Sequence, residues 1–131
     1  MPLKVHVERL STAQGILVRD LDLHVEPGNI HTVMGASGSG KSSLLAAICG
    51  TLPQGLHFSG TISLHGRRID DLPTERRRVG ILFQDDLLFA HMTVAENLLF
   101  AVPSGPAANR RNRVTAGLAD LELHDFANAN P

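Results

Sequence analysis

Gly35-Ala36-Ser37-Gly38-Ser39-Gly40-Lys41-Ser42 fits the pattern G-x-x-x-x-G-K-[ST], and Ser43 follows it. Glycines at 35, 38 and 40 let the backbone curl until successive N–H groups point inward as an anion nest, and a helix that starts there adds the positive end of its dipole. In such a loop phosphate is held mainly by backbone. Lys41 is expected to reach the β- and γ-phosphates as a point charge, the Ser42 hydroxyl to be a ligand of Mg2+, and Ser43 to donate to a further phosphate oxygen. The flanks supply the order the motif needs: residues 29–34 (Asn-Ile-His-Thr-Val-Met) predict a buried strand, and residues 42–49 (Ser-Ser-Leu-Leu-Ala-Ala-Ile-Cys) predict a helix stopped by Gly50 and Pro53.

Upstream of the loop the pattern has period two. Val5 and Val7 alternate with Lys4, His6 and Glu8, and Leu21, Leu23 and Val25 alternate with Asp20, Asp22, His24 and Glu26, so each run predicts a strand with one wet face. Pro27-Gly28-Asn29 turns the chain into the buried strand. Downstream, residues 61–65 alternate again and predict a short hairpin through Gly66 to Arg68-Ile69. Val79-Gly80-Ile81-Leu82-Phe83 is apolar on both faces and reads as a central strand of a parallel sheet, ending at Gln84-Asp85-Asp86. Thr93 and Glu96 have capping-box spacing for a helix over residues 94–100, and a last helix is predicted over residues 106–123 with Val114, Leu118 and Leu121 as its apolar stripe.

At 131 residues, 43% of them hydrophobic and 19% charged, the chain has the composition of one globular domain rather than of a disordered segment. A net charge of −1 gives no global attraction to nucleic acid or to a membrane. Cys49 is the only cysteine, which excludes an intrachain disulfide and suits a reducing compartment; inside a predicted helix it reads as a small core residue. No segment reaches the roughly 18 apolar residues of a membrane span. Seven histidines show no recurrent ligand spacing, with His6, His24 and His65 on the polar sides of strands, and they read as solvated or structural. The arginines at 67, 68, 76, 77, 78, 110, 111 and 113 are interleaved with acids or set on a helix, without aromatics between them, and read as solvated faces rather than a nucleic-acid site.

Arg77-Arg78-Val79-Gly80-Ile81-Leu82-Phe83-Gln84 and Leu88-Phe89-Ala90-His91-Met92-Thr93-Val94-Ala95-Glu96-Asn97-Leu98 resemble the Q-loop region of ABC transporter ATP-binding subunits. With the phosphate loop and Val25-Glu26-Pro27-Gly28 upstream, the resemblance covers nearly the whole chain. It implies an α/β fold of the P-loop NTPase class, an ABC-type ATPase core with an antiparallel β subdomain. It also implies a nucleotide-binding subunit that holds ATP and Mg2+, pairs with a second copy of itself, and drives a transmembrane permease from the cytoplasmic face of the membrane, in import or export of a solute. Residues 35–43 (Gly35, Ala36, Ser37, Gly38, Ser39, Gly40, Lys41, Ser42, Ser43) and Gln84 are then the nucleotide-binding set, Lys41 and Gln84 the catalytic pair, and Ser42 and Gln84 the Mg2+ ligands. An amide carbonyl such as that of Gln84 is a reasonable ligand for a hard cation, and its loop moves without stranding a charge. Asp85, Asp86 and His91 are candidates for the permease-facing side of that loop.

The sequence departs from the family pattern in two ways. Where relatives carry an aromatic that stacks on adenine, this chain has Ser11-Thr12-Ala13-Gln14-Gly15; it has no Tyr or Trp, and its five Phe all follow Lys41. Nor does an LSGGQ-type signature, an apolar strand ending in Asp-Glu or a later switch histidine occur in residues 1–131. The expectation is therefore a C-terminally incomplete, partial nucleotide-binding domain over residues 1–131, in which ATP binding outlasts efficient hydrolysis. Two other functions fit a phosphate loop: a small P-loop kinase, against which the β-rich stretch before Gly35 and the Gln84 segment argue, and a non-catalytic nucleotide-binding module.

Overall fold

The structure, a computed structural model, describes residues 2–85 and 87–131. The chain forms two units, one up to Leu82 and the other from Phe83 to Pro131.

The first unit is built on a four-stranded antiparallel sheet of order β2-β1-β3-β4, from β1 (Leu3–Thr12), β2 (Gly15–Val25), β3 (His57–Leu64) and β4 (Arg67–Arg68). The alternation legible in the sequence sets which face is wet: Val5 and Val7 are buried while Lys4, His6 and Glu8 are exposed. The parity then changes. Val7 pairs with Gly60 and Arg9 with Ser59, so Glu8 is an extra residue, and the bulge returns Leu10 to the buried face. Strict period two would have put Leu10 in water. On the wet face His6 pairs with Asp22 at 2.7 Å and His24 with Glu26 at 2.7 Å, so both histidines are solvated partners of acids, as their positions imply. Donation to the Asp22 carboxylate holds the His6 imidazole above its ordinary value of 6.5.

Helix α1 (Lys41–Cys49) covers the buried face. Leu44 and Ile48 enter one cluster with Val5, Val7, Leu10, Ile62 and Ile69, while Leu3, Val18, Phe58 and Val79 are packed against it. Cys49 is buried, and desolvation raises its thiol above the ordinary range, as expected of a core cysteine rather than a reactive one. A short helix, α2 (Thr74–Arg77), follows the β3–β4 hairpin.

Two expected strands are absent from the described residues. Residues 29–34 and 79–83 carry no strand pairing, and Ile30, Met34 and Leu82 are 92%, 87% and 98% exposed. An apolar run signals burial on both faces, but a strand exists only where neighbours complete its backbone hydrogen bonds, and the four described strands pair only with one another.

The second unit contains α3 (Val94–Ala101), α4 (Ala107–Asp120) and a 3-10 turn at His124–Phe126. Thr93 caps α3 as expected: its hydroxyl accepts from the Glu96 N–H at 3.2 Å, and the Glu96 carboxylate accepts from the Thr93 N–H at 2.8 Å. Val114 and Leu118 are buried on α4, but Leu121 is 63% exposed because the helix ends at Asp120 and the next residue leaves the stripe.

Leu44→Ala should cost about 2–5 kcal/mol by removing a core side chain from a packed cluster, read as a lower chemical-denaturation midpoint. The Thr93 amide, followed by its hydroxyl, holds the Glu96 carboxylate below its ordinary value of 4.5. The cap's contribution is therefore full above that value and is lost as pH falls through the lower folded one. Helical circular dichroism should fall over that acid range, and Glu96→Gln should abolish this component of the pH dependence while keeping a capping side chain.

Candidate functional site

Residues 35–43 arrive at the N-terminus of α1 by the geometry their glycines permit. Gly38 and Gly40 have φ of +78° and +91°. At Gly40 a second constraint acts: a Cβ there would stand 3.0 Å from the Leu17 Cβ and 3.3 Å from a Val18 methyl, so the loop passes hard against β2. Only glycine satisfies both the left-handed backbone and the close approach. The Ser39 N–H closes a turn onto the Ala36 carbonyl at 3.3 Å, and the first intrahelical bond runs from the Leu44 N–H to the Gly40 carbonyl at 2.8 Å.

The amides of Lys41, Ser42 and Ser43 thus precede the helical ladder, and no side chain caps them. The helix also has no acidic residue in its first turn. Lys41 folds back over the loop, its Nζ donating to the carbonyls of Gly35 at 2.8 Å and Ala36 at 2.6 Å. An ammonium has three donors, so this grip fixes the charge beside the loop and leaves one N–H for a further acceptor. Ser42 is exposed and Ser43 half-buried. Backbone amides, a helix dipole, a held ammonium and a free-facing hydroxyl form a donor set suited to a polyphosphate with a hard cation, and poorly suited to a neutral ligand.

Gln84 lies exposed in a bend at the start of the second unit, and Asp85 beside it is also exposed. Asp86 lies outside the described residues. The loop that follows is organised by Asn97, which sequence reading missed. Its side-chain oxygen accepts from the Phe89 N–H at 2.9 Å and its amide nitrogen donates to the carbonyls of Phe89, Met92 and Thr93 at 3.2, 3.3 and 3.0 Å. His91 is exposed and packs edge-on to Phe89 with ring centroids 5.9 Å apart.

Residues 11–15, the stretch without an adenine-stacking aromatic, form the hairpin between β1 and β2. The Thr12 hydroxyl accepts from the Gln14 N–H at 3.1 Å and donates to the Gly15 carbonyl at 3.4 Å. Among the described residues no group of three or more His, Cys, Asp or Glu side chains is placed to hold a metal ion. No described helix is long and apolar enough to cross a membrane.

Two arginines depart from the solvated role expected of them. Arg77 is half-buried and donates to four backbone carbonyls, and Arg110 donates to those of Leu99 at 2.7 Å and Val102 at 3.4 Å. Both satisfy carbonyls at or near a helix C-terminus, which sequence-local charge patterns do not reveal.

A model of the ABC transporter family matches residues 18–131. The chain belongs to that family. It is 44% identical over 116 residues to an uncharacterized ABC transporter ATP-binding protein, YnjD, of Escherichia coli (strain K12), covering 88% of this chain and 54% of that protein. It is 48% identical over 86 residues to another, y4fO of Sinorhizobium fredii (strain NBRC 101917 / NGR234), covering 66% of this chain and 24% of the relative. The chain thus spans about half, or less, of the length of these relatives. Among solved structures, the ATP-binding cassette MJ0796, determined as a dimer in a post-hydrolysis state bound to ADP and Pi, superposes with a TM-score of 0.76 at 24% identity over 98% of this chain and 61% of that one. That likeness supports the ABC ATPase fold, with its P-loop NTPase core and antiparallel subdomain.

Gly40→Ala should disrupt the loop by imposing a left-handed alanine and a clash with β2. A stability loss of about 1–3 kcal/mol is expected in chemical denaturation, larger than that of Gly105→Ala, where a Cβ meets nothing within 4 Å and φ is not left-handed.

Proposed function

We propose that this chain holds Mg2+-ATP as part of the ATP-binding subunit of an ABC transporter. The observation that carries the reading is the uncapped N-terminus of α1 with Lys41 gripped by the carbonyls of Gly35 and Ala36. Family membership supports ATP as the ligand, because ABC transporter ATP-binding proteins are the relatives it matches.

In this reading residues 35–43 bind the triphosphate, their amides taking the β- and γ-phosphate oxygens and Lys41 adding its charge. The Ser42 hydroxyl would hold Mg2+, which would neutralise charge on the phosphates when bound. Gln84 starts the segment that senses a permease, with Asp85 and His91 on the partner side. The permease carries the solute and seats the subunit at the inner face of the cell membrane, where a second copy of the subunit completes the assembly. Hydrolysis needs a carboxylate to polarise the attacking water, and residues 1–131 contain no apolar strand ending in Asp-Glu. The 131-residue polypeptide alone is therefore expected to bind far better than it turns over. No aromatic from residues 11–15 stacks on adenine, so the base should add little to the affinity.

Calorimetric titration of the chain with Mg2+-ATP tests the assignment. Lys41→Ala should weaken binding by about 1.5–3 kcal/mol, the usual worth of a hydrogen bond to a charged group. Equal affinity in the variant, or phosphoryl transfer from ATP to a nucleoside monophosphate, would oppose it, the latter in favour of a small kinase.

A further inference from the structure

Helix α1 carries the phosphate loop at its first turn, and its nine residues make a rod about 13 Å long. Its N-terminus is fixed on β2 by the Gly40 contact with Leu17 and Val18. Its middle is held by Leu44 and Ile48 in the apolar cluster, which resists separation from the sheet but is non-directional. Directional bonds act at the other end. Arg77 donates from Nε to the Leu72 carbonyl at 2.8 Å, from one terminal nitrogen to the carbonyls of Ala47 and Ile48 at 2.7 and 3.1 Å, and from the other to the Asp70 carbonyl at 2.8 Å. Ala47 and Ile48 belong to the last turn of α1, where carbonyls have no helical partner and a cation is favoured by the dipole. Thr74 adds a bond from its hydroxyl to the Gly50 carbonyl at 2.6 Å. Gly50 itself has φ +83°, and a Cβ there would come within 2.6 Å of the Arg77 Nε, so the Arg77 side chain passes close against the helix end.

We infer that Arg77 is a positioning residue for the phosphate loop: its fork to Ala47, Ile48, Leu72 and Asp70 sets the axis of α1 and thereby the placement of the amides of Lys41, Ser42 and Ser43 at the opposite end. A rod pinned at one end and laid on an apolar surface can still swing, and a planar guanidinium bonded to two segments removes that freedom. Lysine keeps the charge but has one nitrogen, and cannot span the four carbonyls in the same plane. The site being placed is the one assigned above to Mg2+-ATP, and the inference rests on that assignment only for the identity of its ligand.

The test compares wild type with Arg77→Lys by hydrogen exchange without nucleotide and by calorimetry with Mg2+-ATP, on chains shown to be folded by thermal melting. Exchange in Arg77→Lys should speed up over residues 46–50 and also over residues 38–44, with β1 and β3 unchanged, and Mg2+-ATP affinity should drop about tenfold as the donors lose alignment. Faster exchange confined to residues 46–50 with unchanged affinity would overturn the inference and leave Arg77 a local helix cap. If Arg77→Lys does not fold, Thr74→Val loosens the same helix end by one hydrogen bond, and the presence or absence of faster exchange at residues 38–44 decides. If wild type binds no Mg2+-ATP, the nucleotide assignment fails, while the exchange pattern still tests whether Arg77 positions the loop.

Discussion

The structure depends on the left-handed backbone at Gly40 pressed against Leu17 and Val18 of β2. That approach sets where α1 begins relative to the sheet, while the inferred role of the Arg77 fork is to set the axis along which its unpaired amides point. Hydrophobic burial of Leu44 and Ile48 supplies the attraction that holds helix to sheet, but burial is proportional to area and indifferent to direction. The proposed nest for phosphate needs direction. A missing Cβ at one residue and a fork of hydrogen bonds at the other end of the helix supply it.

The same physical need, partners for orphan groups at helix ends, is met in several ways in this chain. At the start of α1 the amides are left without a side-chain cap, a feature expected where an anion is the partner. At the start of α3 the Thr93–Glu96 box closes them internally. Arg77 and Arg110 serve carbonyls at or near the far ends of α1 and α3. The start of α4 also lacks a side-chain cap, so the proposed phosphate site at α1 rests on the glycine loop and the Lys41 grip as well as on the open helix start.

What was legible in the sequence follows from how local each signal is. The phosphate loop, its helix and the Thr93–Glu96 box were readable because their residues lie within a few positions of their partners. The wet and buried faces of β1 were readable up to Val7, where Glu8 adds a residue and shifts the parity, because a bulge is set by the opposing strand and leaves little trace in its own. Residues 29–34 and 79–83 read as strands from their apolar character, yet pairing is a property of neighbours, and the described strands do not flank them. Arg77 and Asn97 were missed for a related reason: Arg77 reaches back 29 and 30 residues to Ile48 and Ala47, and Asn97 ties a loop eight residues upstream. In the sequence one is a member of an Arg run and the other an ordinary polar helix residue.

Residues 35–43 are proposed as the place where this ABC transporter family member holds phosphate. Backbone amide resonances of an isotope-labelled chain, followed as Mg2+-ATP is added, test it most directly. With phosphate held there, the amides of Gly38, Gly40, Lys41, Ser42 and Ser43 should shift first and furthest. Saturable shifts centred elsewhere, for example on the wet face of the sheet around His6 and His24, with those five amides unmoved, would contradict it.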